Sequence, residues 1–259
     1  DWMKEHPDLY RVLDKIDNPM DLTIEVLGDR AMVLDQFPGI DKLASFSFLP
    51  GVPNFRKVPG MPVYGMGQPT IGGLANVVKY FMSQGIKQVV SFNLREEPCV
   101  YIGAAGNPYS PREPTLLLEN VVDTGISDDE LEREEVKLKY ELLRKMNQSE
   151  DGLLPVYHDV MSLANQPLRI QADPLKTVWE AYQEQIARTA LLSFYRIPIT
   201  DETTPEVRDF ETFVKAVKVQ SLAFEANADA NIALLFNCQM GRGRTTTGMV
   251  CACLIICNT

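Results

Sequence analysis

The sequence predicts an α/β fold in which a central, mainly parallel sheet is flanked by helices and carries a small hairpin extension. Two observations predict this class. An amphipathic helix over 71–84 is followed, across Gly85, by an apolar strand over 86–92. Near the end of the chain, a continuous apolar strand over 232–236 leads through a glycine-containing loop into another helix. Helices that alternate with buried strands are typical of parallel α/β sheets.

The first half of the chain divides into a lead-in and the start of a domain. Residues 1–45 are an acidic N-terminal lead-in that belongs either to this domain or to a preceding one. Its expected elements are a helix over 9–16 and strands over 22–27 and 31–34. The domain itself spans 46–259, and we expect it to continue in a longer chain. Thr70 is the expected N-cap of its first helix.

The hairpin extension and the remaining elements follow from turn and cap signals. A strand over 99–102 and the turn-rich stretch 103–111 predict the hairpin. Ser127 and Glu130 form a capping box for a charged helix whose charges predict a solvated face. The later elements are helices that start at Asp173-Pro174 and at Thr204-Pro205, a strand over 191–197 and a last helix from Thr245.

The composition limits the classes of function. Its 25 Lys and Arg against 35 Asp and Glu give a formal net charge of −10, and such a field repels nucleic acid and anionic membranes. Phosphate binding must therefore come from a local cluster of donors. Five cysteines with no Cys-x-x-Cys pair, and only two histidines, argue against disulfides and zinc. We expect a cytoplasmic protein without cofactor, metal, nucleic-acid partner or transmembrane segment, while peripheral membrane contact stays open.

The most informative segment is the loop from Cys238 to Thr245, with the sequence CQMGRGRT. A tight loop whose backbone N–H groups converge needs glycines, and Gly241 and Gly243 supply them. The helix that follows adds further N–H donors and the positive end of its dipole. The loop therefore predicts an anion cradle formed by Gln239, Met240, Gly241, Arg242, Gly243 and Arg244.

Three side chains of this loop suit phosphoryl transfer. A thiol in an anion cradle is stabilised as the thiolate, so Cys238 is the expected nucleophile. Arg244 offers a planar, bidentate grip on two phosphate oxygens. Thr245 places a hydroxyl beside the sulfur, where it stabilises the thiolate as a leaving group.

The pattern Cys-x-x-Gly-x-Gly-Arg-Thr-Thr resembles the cysteine phosphatases of the dual-specificity and phytase-like type. The segments 93–102 (NLREEPCVYI), 63–69 (VYGMGQP) and 195–201 (YRIPITD) look like the paladin family, relatives of the phytase-like inositol phosphatases. The resemblance covers about residues 50–259. It implies a cysteine-phosphatase-like parallel sheet, phosphocysteine chemistry without metal, and phosphoesters of inositol as substrates.

The resemblance also assigns residues outside the core of the loop. Asp201 matches the family's mobile-loop aspartate, which protonates the leaving oxygen, although a capping aspartate would have the same neighbours. Glu202 is the neighbouring substitute. Arg242 matches a position where phosphoinositide phosphatases carry a second cation, which favours ligands with several phosphates, although a solvated loop arginine is the alternative. Asn237 stands where most catalytic members carry histidine, and an amide cannot carry charge, so thiolate activation is expected to be weaker.

Two arginines and the acids near them have alternative interpretations. Arg95 and Glu96, with Glu97, either border the pocket at the carboxyl end of a strand or form buried ion pairs. Arg196 likewise either faces the pocket or pairs with an acid. The three cysteines of the last helix are core residues or, less favoured, include a resolving partner for Cys238.

Three functions are compatible with these residues. The leading hypothesis is a phosphatase of inositol phosphates or phosphoinositides that acts through a phosphocysteine. The second is a pseudophosphatase that binds phosphorylated ligands or partners without turnover, as Asn237 favours. The third is a protein tyrosine or dual-specificity phosphatase, which needs a pocket of the right depth. The sequence names no protein partner.

Overall fold

The computed structural model describes residues 26–35, 49–113, 124–158, 166–226 and 231–258. Within these ranges the helices are α1 (Ile71–Ser83), α2 (Asp128–Gln148), α3 (Val178–Thr189), α4 (Val207–Ala226) and α5 (Gly243–Cys257). The strands are β1 (Ala31–Leu34), β2 (Arg56–Lys57), β3 (Val63–Met66), β4 (Gln88–Arg95), β5 (Val100–Ile102), β6 (Asn107–Arg112), β7 (Leu154–Val156), β8 (Leu168–Ile170), β9 (Leu175–Thr177), β10 (Leu192–Ile199) and β11 (Ile232–Asn237). None of the described helices is both long and apolar enough to cross a membrane.

The central sheet has five strands in the order β10-β4-β11-β3-β2. The first four run parallel, and β2 pairs antiparallel with β3 at the edge. The neighbouring parallel strands are separated along the chain by helices, as a parallel sheet requires. The predicted α/β class with a mainly parallel sheet is therefore confirmed.

Helices cover both faces of the central sheet. α1 and α3 pack on one face, where Leu74, Phe81 and Tyr182 are fully buried. α4 and α5 pack on the other face through Phe213 and Met249. Each face thus has its own apolar core, and the sheet is the middle layer of three.

The last strand shows why the apolar pattern is continuous. In β11, Ala233 and Leu235 belong to the core beneath α1 and α3, whereas Leu234 and Phe236 belong to the core beneath α4 and α5. All six residues of the strand are buried. Because parallel strands end at the same edge of a sheet, the segments after β4, β10 and β11 meet there.

A smaller antiparallel sheet, with strand order β1-β6-β5-β9, forms the extension. It shares a third apolar core with α2, around Val100, Tyr109 and Leu138. The predicted hairpin is its β5–β6 pair, which β1 and β9 widen. Val26, Leu27 and Met32 join this core, and β1 pairs antiparallel with β6. The helix expected over 9–16 and most of the strand expected over 22–27 lie outside the described residues.

Two helices begin directly after the N-cap residues that the sequence predicted. Thr70 Oγ1 accepts a hydrogen bond from the Gly73 N–H at 2.8 Å, and α1 begins after it. Ser127 and Glu130 form both bonds of the capping box that opens α2. These side chains satisfy backbone donors that a helix start leaves unpaired, so short-range sequence was sufficient to locate both starts.

The helix expected to start at Asp173-Pro174 starts later, at Val178. Residues 175–177 are instead strand β9, which pairs antiparallel with β5. Thr177 caps the helix, and Glu180 completes a capping box with it. The tertiary pairing with β5 thus overrides the proline signal.

The sequence predicted that the charged residues of α2 form a solvated face, and this is wrong for part of the helix. Glu135, Lys139 and Glu141 are buried. Lys139 pairs with Glu180 at 2.7 Å, and Glu141 accepts the backbone N–H groups of residues 26–28. The helix therefore buries charges that have specific partners, because its inward face lies against the small sheet and α3.

Candidate active site

The phosphate loop connects β11 to α5 at the carboxyl edge of the sheet. Gly241 has φ +72°, and a Cβ there would lie 2.5 Å from the Gly67 nitrogen and from the Met66 carbonyl carbon. Only glycine fits so close to the end of β3. The loop carbonyls are held from outside: the Gln68 N–H donates to Gln239 O at 2.8 Å, and Asn54 Nδ2 donates to Gly241 O at 2.9 Å.

Cys238 lies at the start of this loop, with only 3% of its surface exposed. The Thr245 hydroxyl, one turn into α5, lies 3.1 Å from Cys238 Sγ and 3.3 Å from the Met66 carbonyl oxygen. Its single hydrogen can be donated to one of these at a time, and a thiolate is the stronger acceptor. The pair therefore has the geometry to stabilise negative charge on sulfur.

The guanidinium of Arg244 is held in one orientation. Glu97 accepts from it through both oxygens, at 2.8 Å from Nη1 and 3.2 Å from Nη2, and the Ile199 carbonyl accepts from Nη1 at 3.1 Å. Burial alone would lower the pKa of Arg244, but the charges of Glu97, Cys238 and Asp201 raise it above its ordinary value. Arg244 thus stays charged beside the sulfur.

Glu97 is itself fixed by a second buried arginine. Arg95 Nε donates to the Glu97 backbone carbonyl at 3.1 Å and lies 3.3 Å from its Oε2. Arg95 also forms a bidentate pair with Asp35 and donates to Ser110. Burial opposes the charge on Arg95, yet the carboxylate of Asp35 and the neighbouring charges raise its pKa. A chain of buried charges thus runs from β1 to the phosphate loop.

Asp201 reaches the site from the segment after β10. Its Oδ1 lies 3.2 Å from Arg244 Nε, outside the angular range of a hydrogen bond, and its side chain is 37% exposed. The Thr203 hydroxyl donates to the Thr200 carbonyl at 3.0 Å and closes the turn around Asp201. The carboxyl therefore lies near the loop and lines the pocket, within reach of a ligand bound there.

An open pocket of about 290 Å³ joins these groups. It is lined by Cys238, Gln239, Met240, Arg242, Gly243, Arg244 and Thr247, and by Ile199, Asp201, Glu202, Thr203 and Pro205. The structure thus brings together the loop residues expected to bind phosphate, except Gly241, which is buried against β3. Thr245 is buried beneath the pocket, against the sulfur.

Asn237 points away from the pocket into a buried polar network. Its Nδ2 donates to Gln68 Oε1 at 3.0 Å, and Gln68 Nε2 donates to the Tyr101 hydroxyl at 2.8 Å. The Tyr182 hydroxyl lies 3.5 Å from Asn237 Oδ1. Burial raises the pKa of Tyr182 to about 12. The groups behind the nucleophile are therefore neutral amides and phenols.

The other residues expected at the pocket take structural positions. Arg95 is fully buried in the chain of charges described above. Arg196 donates to Glu135 at 2.7 Å, and its side chain is 1% exposed, so it also does not line the pocket. Glu96 Oε1 accepts from the Thr200 hydroxyl at 2.8 Å and from the Gly125 N–H at 3.1 Å. Of the two interpretations, the buried ion pair describes both arginines, and Glu96 braces the segment that carries Asp201.

Two residues of the site had no sequence signal that we recognised. Asp35 lies 60 residues before its partner Arg95, in a stretch that read as lead-in. Arg56, on edge strand β2, donates to Thr246 Oγ1 of α5 at 3.0 Å. Burial lowers the pKa of Arg56, while the charge of Cys238 opposes that shift. An arginine on a short edge strand becomes a site candidate only once the strand order places it beside the loop.

The described cysteines and potential metal ligands add no second centre. All five cysteines are free thiols, and Cys251, Cys253 and Cys257 lie on α5 away from the loop. Among the described residues, no group of three or more His, Cys, Asp or Glu side chains is arranged to hold a metal ion.

Comparison with known proteins gives one family. The family model of PTP-like phytases, described by the words inositol hexakisphosphate, matches residues 92–256. Paladin of Danio rerio is 32% identical over 267 residues, which cover 97% of this chain and 30% of that protein. Paladin of Gallus gallus is 34% identical over 261 residues, 98% of this chain and 28% of that protein. The chain therefore spans less than a third of these relatives.

Solved structures agree with the fold. The tandemly repeated PTP-like phytase of Mitsuokella multacida aligns with a TM-score of 0.57 at 20% identity, over 98% of this chain and 42% of that one. A PTP-like myo-inositol phosphatase of the same organism, in complex with myo-inositol-(1,3,4,5)-tetrakisphosphate, aligns with a TM-score of 0.58 at 20% identity, with the same coverage. The resemblance seen in the sequence is confirmed: the chain belongs to the PTP-like phytase family and is a homologue of the paladins.

Proposed function

We propose that this domain hydrolyses phosphomonoesters of inositol phosphates or phosphoinositides through a phosphocysteine intermediate. The observation that carries the proposal is the arrangement of Cys238, Thr245, Arg244 and Asp201 around one pocket. Membership of a family whose model carries the name inositol hexakisphosphate supports the substrate class. The phosphatase of similar fold in complex with an inositol tetrakisphosphate supports it as well.

In the first step, the Cys238 thiolate attacks phosphorus in line with the ester oxygen. The S–P bond forms as the P–O bond breaks, and the carboxylic acid of Asp201 gives its proton to the departing alkoxide. Arg244, oriented by Glu97, binds two of the three equatorial oxygens, where charge accumulates. The N–H groups at the start of α5 add to this stabilisation.

In the second step, water attacks the phosphocysteine. The Asp201 carboxylate takes the proton of that water, inorganic phosphate leaves, and the thiolate is restored. The Thr245 hydroxyl, 3.1 Å from Sγ, donates to the sulfur as its negative charge returns. No redox partner is needed, and every group that moves a proton lies within the described site.

A panel of substrates tests this proposal. Phosphate release is measured from inositol phosphates, from phosphoinositides in vesicles and from a phosphotyrosine peptide, with the wild type beside Cys238→Ser. We expect release from the inositol compounds by the wild type alone. Release that persists in Cys238→Ser would exclude the covalent mechanism. Activity confined to the phosphotyrosine peptide would identify the domain as a protein tyrosine phosphatase instead.

One observation favours a second function, that of a binding module without turnover. Asn237, next to the nucleophile, is neutral and fully buried, and its amide contacts Gln68. The position beside the nucleophile therefore carries no charged group. A neutral amide gives the thiolate less stabilisation than an imidazolium ion does. Binding of a phosphorylated inositol by both the wild type and Cys238→Ser, with no phosphate released by either, would establish this function instead.

A further inference from the structure

Two neighbouring acids follow β4, and each holds a different part of the site. Glu97 accepts from the guanidinium of Arg244, the group expected to grip the reacting phosphate. Glu96 is only 2% exposed, and its Oε1 accepts from the Thr200 hydroxyl at 2.8 Å. Thr200 immediately precedes Asp201, the expected proton donor. One acid thus orients the arginine, and the other holds the segment that carries the donor.

The same oxygen of Glu96 ties this segment to the residues before α2. Oε1 also accepts from the Gly125 N–H at 3.1 Å, and the Gly125 carbonyl accepts from the Arg208 guanidinium on α4. Gly125 has φ +82°, and a Cβ there would lie 3.0 Å from Arg208 Nη2, so both the backbone conformation and this close approach favour glycine. The segment from Thr200 to Arg208 is therefore tied to Gly125 at both ends.

The position of the Asp201 carboxyl depends on the backbone on either side of it. More than a third of its side chain, 37%, is exposed, so the protein surrounds it only in part. The Ile199 carbonyl attaches the preceding strand to the phosphate loop, because it accepts from Arg244 at 3.1 Å. The Thr200 hydroxyl attaches the segment to the end of β4 through Glu96. Loss of the Glu96 contact would leave Asp201 without this second attachment.

Proton donation to a leaving oxygen depends on the distance and direction between the acid and that oxygen. A small misplacement of a reacting group removes much of its effect. We propose that Glu96 is a positioning residue for proton donation, because it holds Thr200 and thereby places the Asp201 carboxyl at the pocket. Glu96 does not line the pocket, so it acts only through this segment. The inference rests on the proposed function, since Asp201 gives its proton in that reaction.

Two substitutions of Glu96 separate its hydrogen bonds from its charge. Glu96→Ala removes both, whereas Glu96→Gln removes the charge and keeps an acceptor oxygen for Thr200 and Gly125. Oε2 has no hydrogen-bond partner in the described part of the chain, so an amide nitrogen in its place breaks no hydrogen bond. Thr200→Val removes the same contact from the other side. Glu141→Ala is the matched control, because Glu141 is also buried and accepts backbone N–H groups, those of residues 26–28, away from the pocket.

The assay compares esters that differ in their need for a proton. Myo-inositol hexakisphosphate and a phosphatidylinositol monophosphate in vesicles release an alkoxide, which must be protonated as it leaves. 2,4-Dinitrophenyl phosphate releases a weakly basic phenolate, which needs little protonation. A misplaced proton donor therefore slows the inositol esters more than the dinitrophenyl ester.

We expect Glu96→Ala and Thr200→Val to lower kcat/KM by about tenfold or more for the inositol ester that the wild type hydrolyses, and by less than about threefold for the dinitrophenyl ester. Glu96→Gln should recover most of this loss, and Glu141→Ala should leave the ratio of the two values unchanged. Equal losses with both kinds of ester in Glu96→Ala, or a loss in Glu96→Gln as large as in Glu96→Ala, would overturn the inference.

Hydrogen exchange of the backbone amides of residues 199–206 separates this inference from the proposed function, because it requires no turnover. We expect these amides to exchange about tenfold faster in Glu96→Ala than in the wild type or Glu96→Gln. That result without phosphate release by the wild type would reject the enzyme and retain the hold of Glu96 on the segment. Turnover with unchanged exchange in Glu96→Ala would retain the enzyme and reject the positioning role. Unchanged exchange without phosphate release would reject both.

Discussion

Glu97→Gln tests whether the orientation of Arg244 controls turnover. The carboxylate accepts from both terminal nitrogens of Arg244, and it also lies 3.3 Å from Arg95 Nε. Glutamine keeps one acceptor oxygen and presents an N–H group where the second oxygen was. Two buried arginines then face one carboxylate fewer, although Asp35 and Asp201 remain.

The magnitude follows from the burial of this pair. Removing one partner of a buried ion pair costs about 3 kcal/mol at the lower end of the usual range, and the lower end applies because glutamine preserves one hydrogen bond. Loss of a well-oriented donor to the transition state lowers kcat by about 100-fold. We therefore expect Glu97→Gln to be destabilised by about 3 kcal/mol and to turn over about 100-fold more slowly.

The assay combines phosphate release under saturating substrate with denaturant unfolding at the same pH. Glu206→Gln is the control, because Glu206 pairs with Arg208 at the surface, where such pairs contribute less than about 1 kcal/mol. A Glu97→Gln variant that keeps wild-type kcat would show that Glu97 does not position Arg244 for catalysis. A loss of stability with intact kcat would leave Glu97 a purely structural role.

Three further outcomes are expected. Thr245→Val should slow the breakdown of the phosphocysteine by about tenfold or more, so a burst of product should precede the steady state in rapid-quench measurements, whereas Thr245→Ser should show no burst. Burial raises the pKa of Glu96 above its ordinary value of 4.5, so the folded state binds the proton more tightly than the unfolded state does. The stability that this group contributes should therefore be greatest below pH 4.5 and fall as pH rises towards the raised folded pKa. Urea titrations should find that decline weakened in Glu96→Gln, and an unchanged profile would contradict it. A double-mutant cycle on Asn237→Ala and Gln68→Ala should give a coupling energy of about 1 kcal/mol, and additivity would disprove their contact.

Local signals in the sequence were enough for the phosphate loop. The glycines, the strand before Cys238 and the helix after it lie within one short segment, so their physical requirements could be read together. The caps at Thr70 and Ser127 are also local, because each bonds a backbone group three residues away. Features that depend on residues a few positions apart are therefore found in the structure as the sequence predicted them.

The buried ion pairs around the site join residues that are far apart in sequence. Asp35 and Arg95 meet because β1 joins the small sheet, and Arg196 meets Glu135 because α2 lies against β10. Neither pair has a periodicity or a spacing that marks it. The charges of α2 that we expected in solvent are buried for the same reason, since each finds a partner on another element.

The late start of α3 shows how two local signals compete. Proline at 174 favours a helix start, while Thr177 and Glu180 form a capping box three residues later. Pairing of β9 with β5 decides between them, because extended residues 175–177 complete the small sheet. The capping box was visible in the sequence and was the better guide.

The phosphocysteine at Cys238 can be trapped during turnover, and its detection is the sharpest test of the proposed mechanism. The wild type is mixed with an inositol phosphate, quenched in acid at short times and digested, and the peptide that contains Cys238 is analysed by mass spectrometry. We expect one added phosphate on Cys238 and none in Cys238→Ser, which should also release no phosphate. Phosphate release with no modified cysteine, or a modification on another residue, would contradict that mechanism.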